Sequence, residues 1–594
     1  MRLLHATTLE FENFNDDIPP YAILSHTWEA HEVTYQELSF IQKLSRLPDE
    51  LRQNMLYVAS LMAAAGLDFF DANEDSIRNR KGYAKIEKTA QIAKSRGLEY
   101  FWLDTCCIDK TSSAELQEAI NSMYQWYRKS AYCIVHLGDQ IRQIDLQWTR
   151  REFQSMLKRS RWLTRGWTLQ ELIAPHVVVF YDLGWYELCG KADVLSEIEE
   201  LTGIPRYVLA TGELRYSSVA QKMSWAAGRT TTRSEDVAYS LMGFFDVHMP
   251  MLYGEGIKAF QRLQEEIIRT TSDDSIFAWL AEDAGVSTLR GMFARSPKEF
   301  KTCSAVTRGE NSFISEANRG LHLFVPLQAF VYEANGLRHN FHVAQLSAQK
   351  HGSPIVITLQ YLNPTAANRE IERDPLHVGG AEATGTQTHF ARVFASTYGY
   401  WIPGREDIIS RDIYIRQDPL IPPGFESALM HCFHFRPSNS GNDGPRHRIH
   451  TVSPKKLYNL RHEVVAIPEG VEEFVAAVRL KPEKDTERRW PLILFLGFHR
   501  RARKPWCKIW HRKSLELHLE SEGMPDLALS ASMAESWWPR IIEASGFLLE
   551  SDTSSRTDAY LGGTSDPIGV RLEPGMWNDK ISIIVVIDGL QYRG

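Results

Sequence analysis

Four short stretches in the first half of the chain are apolar on both faces and stop abruptly at polar residues, the pattern of central strands in a parallel sheet. They are Tyr21 to Leu24, Tyr100 to Leu103, Ala131 to Leu137 and Val177 to Tyr181. The intervening segments carry helical spacing. Tyr83, Ile86, Ala90 and Ala93 share one face of a helix that Gly97 ends, and Leu116, Ile120, Met123 and Tyr127 form the stripe of the next. Ser112 followed by Glu115 predicts a capping box at the start of that second helix. Alternating strand and helix predicts an α/β fold with a doubly wound, mainly parallel sheet. From about Ile41 to Gly82 the alternation is interrupted. LPDELRQNMLYVASLMAAAG reads as one amphipathic helix inserted after the first strand, followed by the turn-rich DANEDSIRNRKG. From about 190 to 280 the chain reads as helical additions, among them Gly256 to Thr270, with Ile257, Phe260, Leu263 and Ile267 as the apolar stripe.

Beyond about Gly285 the period changes to that of strands. The runs are Leu321 to Leu327, Pro354 to Leu362, Asp412 to Arg416, Phe474 to Leu480, Pro491 to Phe498, Ser514 to Leu519 and Ile581 to Ile587. Their Pro- and Gly-rich connections predict a β-rich C-terminal region of sandwich type, built as one or two subdomains. The expected domains are therefore 1–284, with its insertion at about 41–82, and 285–594.

A chain of 594 residues with 43% hydrophobic content exceeds one ordinary core, in keeping with that division. The formal net charge of -7 gives no general attraction for phosphate backbones or anionic membranes, so neither nucleic acid nor a membrane is an expected partner. MRLLHATTLEFENFN lacks the apolar core of a signal peptide, and no segment has the roughly 18 uninterrupted apolar residues of a membrane helix. The expectation is a soluble, cytoplasmic protein. Its 7 cysteines form no CxxC pair and read as reduced thiols. His431, Cys432, His434, His447 and His450 lie near one another but lack the second half of a zinc pattern, and no metal is predicted.

In an open α/β sheet ligands bind beyond the carboxyl ends of the strands, so the residues following the four runs are the candidates for chemistry. These are Ser25-His26-Thr27-Trp28, Asp104-Thr105-Cys106-Cys107, Gly138-Asp139 and Asp182. Each also has an ordinary reading as a cap or turn residue. The densest segment is SRWLTRGWTLQELIAP, Ser160 to Pro175, whose two tryptophans, two arginines and one glutamate suit a pocket with an aromatic wall, cationic contacts and a carboxylate. Glu171 has two readings. It is either that carboxylate or, with Thr168 three residues before it, half of a capping box. A further reading makes Cys106 or Cys107 a nucleophile with His26 as its base.

The order LSHTW at Leu24 to Trp28, WLDTCCIDK at Trp102 to Lys110 and RGWTLQEL at Arg165 to Leu172 resembles the fungal heterokaryon-incompatibility (HET) domain. SVAQKMSWAAGRTTTRSEDVAYSLMGFFDVHMPMLYGEG continues the likeness, which covers about Tyr21 to Trp279. The resemblance implies an effector of non-self recognition and programmed cell death, with self-association and a regulatory protein partner. The chain departs from the family in its long insertion, and it lacks the nucleotide-binding module and repeat array of some relatives. Control would then fall to the C-terminal half or another chain. More remotely the domain is similar to TIR domains, in which a glutamate supports cleavage of the nicotinamide–ribose bond of NAD. That likeness makes NAD the candidate substrate and Glu171 the catalytic carboxylate, although Thr168 stands where TIR domains often have cysteine. On this NAD reading the residues Ser25, His26, Thr27, Trp28, Asp104, Thr105 and Cys106 shape the pocket, Trp28 or Trp162 stacks on a ring, and Arg165 holds a phosphate. The alternative it leaves open is a non-enzymatic TIR-like signalling and assembly module.

Overall fold

The four apolar runs of the first half become the four parallel strands at the centre of one sheet. The computed structural model describes residues 1–48, 50–51, 54, 74–141, 149–281 and 289–309, and beyond them the strands named below with residues 351–352, 398–399 and 467. In chain order the strands of the N-terminal sheet are β1 (Arg2–His5), β2 (Phe11–Asn13), β3 (Tyr21–His26), β4 (Tyr100–Trp102), β5 (Tyr132–His136), β6 (Val178–Tyr181) and β7 (Glu187–Gly190). They lie side by side in the order β2-β1-β4-β3-β5-β6-β7. β4, β3, β5 and β6 pair in parallel, while β1, β2 and β7 are antiparallel additions at the two edges. Every residue of β3, β5 and β6 is buried, so both faces of the sheet are covered. The central strands run second, first, third, fourth across the sheet. The chain therefore reverses direction between β3 and β5, and right-handed crossovers then put the preceding and following helices on opposite faces.

The described helices of this region are α1 (Tyr35–Ser45), α2 (Glu74–Arg78), α3 (Lys81–Ser95), α4 (Ser113–Lys129), α5 (Arg150–Arg159), α6 (Arg161–Thr164) and α7 (Thr168–Ile173). α8 (Leu195–Thr202), α9 (Arg206–Thr211), α10 (Val219–Ala226), α11 (Asp236–Tyr239), α12 (Met242–Phe245) and α13 (Lys258–Thr270) follow. On α3 the predicted stripe is buried, and Gly97, at φ +74°, takes the left-handed conformation just past the helix end. On α4 the Ser112 hydroxyl accepts the Glu115 N–H at 3.3 Å, as a cap should. The reciprocal half of that box is absent, because the Glu115 carboxylate binds Arg2 at 2.7 Å and the Asp109 N–H instead. On α13 Phe260, Leu263 and Ile267 are buried, but Ile257 precedes the first turn and is exposed. The amphipathic helix expected within 41–82 falls mostly outside the described residues, which show α1 and α2 at its two ends. Among the described residues no helix is long and apolar enough to cross a membrane.

The chain divides into two compact units. One comprises Met1–Trp279, Ala294–Glu310 and Ala348–Gly352, and the other Leu280–Phe293, Asn311–Ser347 and Ser353–Gly594. The outlying segments of the first unit are bound into it by hydrogen bonds. Ser218 donates its hydroxyl proton to Val306 O at 2.7 Å, the Ala294 N–H reaches Gln264, and the Ala348 N–H reaches Asp274. A cut near residue 285 would remove all three.

The second unit is β-rich. One of its sheets holds Leu337–Lys350, Ser353–Tyr361, His389–Val393, Ile409–Ile415, Gly320–Ala334 and Phe313–Ala317 in that lateral order. A second contains Tyr458–Asn459, Val464–Ala466, Cys432–Pro437, Lys580–Ile587, Pro567–Trp577 and Arg556–Tyr560. His447–Ser453, Glu473–Pro482, Leu492–His499 and Lys504–His511 make a wholly antiparallel third. Phe433, Val465 and Ile583 from the second sheet share one core with Val478, Leu494 and Leu496 from the third, the packing of two sheets face to face. Two pairings depart from the antiparallel expectation, because Cys432–Pro437 runs parallel to Lys580–Ile587 and His389–Val393 parallel to Ile409–Ile415. The run Ser514 to Leu519 lies outside the described residues.

Gly243 on α12 allows close approach to α4, since a Cβ there would sit 2.2 Å from the Tyr124 Cβ. Gly243→Ala is expected to cost the N-terminal unit about 1–3 kcal/mol through overpacking. Urea unfolding followed by tryptophan fluorescence checks this, and an unchanged midpoint would contradict it.

Candidate active site

Ser25 lies near the end of β3 and is fully buried. Its hydroxyl accepts the indole N–H of Trp162 at 2.7 Å and donates to Glu171 Oε2. Trp162, on α6, is itself fully buried and packs edge-on against Phe180 of β6. A relay of indole, hydroxyl and carboxyl thus ties two short helices to the central strand. Asp139 sets up the first helix by accepting the Arg161 N–H at 2.8 Å, which makes this strand-end aspartate a structural cap. Asp182 is also structural, accepting the Tyr186 N–H at 2.9 Å.

The second helix, α7, is buried along its whole length and has no side-chain cap at Trp167. Thr168 donates to Trp162 O at 2.5 Å and Arg165 O at 3.0 Å, and the Glu171 carboxyl turns to Ser25. The capping-box reading of Thr168 and Glu171 is therefore overturned. Tertiary hydrogen bonds take both side chains away from the helix start. At the other end the buried Lys191 ammonium donates to Leu172 O at 3.0 Å and Pro175 O at 2.8 Å, supplying the donors that the last carbonyls need.

Glu171 has been taken out of water with little to compensate its charge. Burial raises its pKa to about 8, the Ser25 hydrogen bond opposes the rise, the Asp104 charge adds to it, and the Arg165 and Arg229 charges again oppose it. Arg229 is buried as well, and its guanidinium donates to Arg165 O and Thr168 Oγ1, each at 2.9 Å.

Asp104, just beyond β4, behaves in the opposite way. Burial alone would raise its pKa, but the His26 hydrogen bond and charge, then the Lys110 charge and the Trp28 N–H, outweigh it and hold it at about 2. His26 Nε2 lies 3.1 Å from Asp104 Oδ1, and the Trp28 indole donates to Oδ2 at 2.8 Å. The Lys110 ammonium sits 3.6 Å from the centre of the Trp28 ring, a cation–π contact. Two carboxyl groups in one site are thus set far apart in proton affinity, an arrangement common where acid–base or electrostatic work is done.

A cavity of about 550 Å³, the size of a small-molecule site, opens onto both carboxyls. Of the residues expected there, Glu171, His26, Trp28, Asp104 and Arg165 line it. Ser25 and Trp162 stand behind the wall as supports, so Trp162 is not the ring that stacks on a ligand. Trp167, with Trp28, supplies the indole surface. Thr27 and Thr105 are buried outside the lining, and the Thr27 carbonyl accepts from the Lys85 ammonium at 3.2 Å. Cys106 is also buried outside it, and burial, followed by Cys107, pushes its thiol well above the ordinary range. His26 is meanwhile engaged with Asp104, so the thiol-nucleophile reading finds no support in this geometry.

The segment Thr230 to Arg233, with Asp236 and Tyr253, completes the lining, and nothing in its spacing marked it out as site-forming. It is brought there by a two-bond parallel bridge, from Gly166 N to Thr230 O at 2.9 Å and from Thr230 N to Thr164 O at 2.7 Å. A Cβ at Gly166 would lie 2.5 Å from Thr231 Cγ2, so a larger residue there would displace the Thr231 side chain. TTTRSED belongs to a stretch that resembles the HET continuation, the one sequence signal that bore on it.

Residues 21–151 match the family model described as heterokaryon incompatibility protein (HET), and residues 258–315 match a domain of unknown function, DUF8212. Over 259 residues the chain is 41% identical to vegetative incompatibility protein HET-E-1 of Podospora anserina. The aligned stretch covers 42% of this chain and 16% of that protein. No solved structure matches.

The raised pKa of Glu171 has a stability consequence. The folded state holds the proton more tightly than the unfolded chain, so its contribution is fully present below about pH 4.5 and is lost as pH rises towards about 8. Thermal midpoints measured from pH 5 to 9 should therefore fall less steeply for Glu171→Gln than for the wild type. Parallel profiles would mean that Glu171 is charged throughout.

Proposed function

We propose that this chain, whose N-terminal unit carries a HET domain, is an effector of heterokaryon incompatibility that acts by hydrolysing the nicotinamide–ribose bond of NAD. The matched relative, by its name a vegetative incompatibility protein, supports the biological role. The observation that carries the chemistry is Glu171, a buried carboxyl on the wall of a cavity that also offers aromatic surface and arginines.

In this reading the C1′–N bond of NAD breaks with its electron pair going to the nicotinamide ring, which leaves neutral from a cationic precursor. The ribose acquires oxocarbenium character. A carboxylate beside it stabilises that charge more than the ground state, which lowers the barrier. Water then forms the C1′–O bond and loses a proton, giving ADP-ribose. Such a carboxylate must be ionised, whereas burial favours the neutral form of Glu171 up to about pH 8. The cationic nicotinamide ring supplies the missing counter-charge, so substrate binding itself drives off the proton. Ser25 and Trp162 fix the carboxyl so that no reorganisation is needed as charge develops.

One observation favours a non-enzymatic assembly module instead. A neutral Glu171 bonded to Ser25 is also an adequate structural pin between α7 and β3. Glu171→Gln separates the two readings, because glutamine keeps a neutral hydrogen-bonding pin and removes the carboxylate. The enzyme reading expects wild-type protein incubated with NAD to release nicotinamide, at a rate that climbs with pH towards about 8. It expects Glu171→Gln to lose on the order of a hundredfold, the usual weight of a preorganised electrostatic group. Equal release by the two proteins, or none by assembled wild type, would refute it. Cell killing that survives the substitution would support the module.

A further inference from the structure

Several arginines of the N-terminal unit are matched to carboxylates. Arg2 sits on Glu115, Arg80 on Glu37 and Arg262 on Glu255. Two arginines lining the cavity are different. The guanidinium groups of Arg161 and Arg165 make no ion pair or hydrogen bond among the described residues, though both face the same space. Arg165 lies near enough to Glu171 to affect its protonation, yet forms no ion pair with it. Leaving planar, five-donor cations unmatched on a concave wall is the usual preparation for an anion that arrives with the ligand.

The opposite strand of the bridge adds donors. Thr230 is zipped to Thr164 and Gly166, which sets Thr231 and Thr232 beside Arg165. The Thr231 hydroxyl is spent on Arg233 O at 2.5 Å. The backbone N–H groups of Thr231 and Thr232 and the Thr232 hydroxyl donate to no group among the described residues. Arg233, whose guanidinium lies 4.3 Å from the centre of the Tyr253 ring, adds a third positive charge to the lining. The rest of the wall combines apolar and aromatic side chains, among them Trp28, Ile108, Ile120, Met123 and Trp167, with the polar or charged His26, Asp104, Lys110, Glu171 and Asp236. The wall therefore suits an amphiphilic ligand, a planar ring system joined to multiply charged oxygens.

We infer that Arg161 and Arg165, with the donors of Thr231 and Thr232, form a diphosphate-binding subsite, so that this cavity selects nucleoside diphosphates and dinucleotides over nucleosides. The inference rests on the reading of the cavity as the active site and narrows its substrate class, but it does not require that any bond be cleaved. Arg161 is exposed and Arg165 partly so, hence both can be changed without opening the core.

The experiment is calorimetric titration of the full chain with inorganic pyrophosphate, ADP-ribose and adenosine. Wild type is expected to bind pyrophosphate and ADP-ribose. The double variant Arg161→Gln with Arg165→Gln should bind both at least tenfold more weakly, with adenosine affected less than twofold. Should that variant fail to fold, Thr232→Asp, which puts a like charge against the ligand, should give the same loss. Wild type that ignores pyrophosphate, or a folded variant that binds it as tightly as wild type, would overturn the subsite. Intact pyrophosphate binding without nicotinamide release would retire the hydrolase and leave the subsite standing.

Discussion

The removal of one carboxyl group from water is the constraint around which the N-terminal unit is arranged. Glu171 sits on a helix with no solvent-facing residue, and its carboxyl accepts from the Ser25 hydroxyl, with the buried Tyr127 hydroxyl beside it. The Ser25 hydroxyl is held in turn by the Trp162 indole. Each member of the relay comes from a different element, so the positions of β3, α6 and α7 are fixed together. Lys191 at the end of α7 and Arg229 beside its start complete the setting with buried cations that bond to backbone and hydroxyl oxygens rather than to the carboxylate. The charge of Glu171 is thereby left largely unanswered, and its proton is retained to about pH 8.

Asp104 gives the same cavity its second polarity. His26, Trp28 and Lys110 surround it so fully that it remains ionised when Glu171 does not. The two carboxyls also act on each other, the charge on Asp104 helping to keep the proton on Glu171. A cationic ligand entering between them would find one fixed negative charge and one that it can itself release, a natural coupling of binding to activation.

The parallel core was legible in the chain because strands covered on both faces leave uninterrupted apolar runs, and β3 and β5 are such strands. The edge strands β1, β2 and β7 left no such trace. They are short and partly exposed, and the pairing that makes them strands is supplied by their neighbours. The strand-end rule pointed to the edge of the sheet where the cavity opens but could not separate His26, Trp28 and Asp104 on the cavity wall from Ser25, Thr27 and Cys106 behind it, since that depends on which way consecutive side chains turn. Thr168 and Glu171 have the spacing of a capping box and were drawn elsewhere by tertiary bonds, a case of local pattern yielding to long-range partners. Thr230 to Arg233 had no chemistry to announce. Their place in the wall comes from a backbone bridge between Thr230 and the Thr164 to Gly166 segment.

The electrostatics of the cavity depend on Glu171 being protonated in the resting site and titrating near pH 8. Infrared difference spectroscopy of wild type against Glu171→Gln, recorded from pH 5 to 9, reads this directly. The account predicts a protonated carboxyl C=O band in the wild type that persists at pH 6 and gives way to carboxylate bands with a midpoint near 8. Carboxylate bands already complete at pH 6 would contradict it.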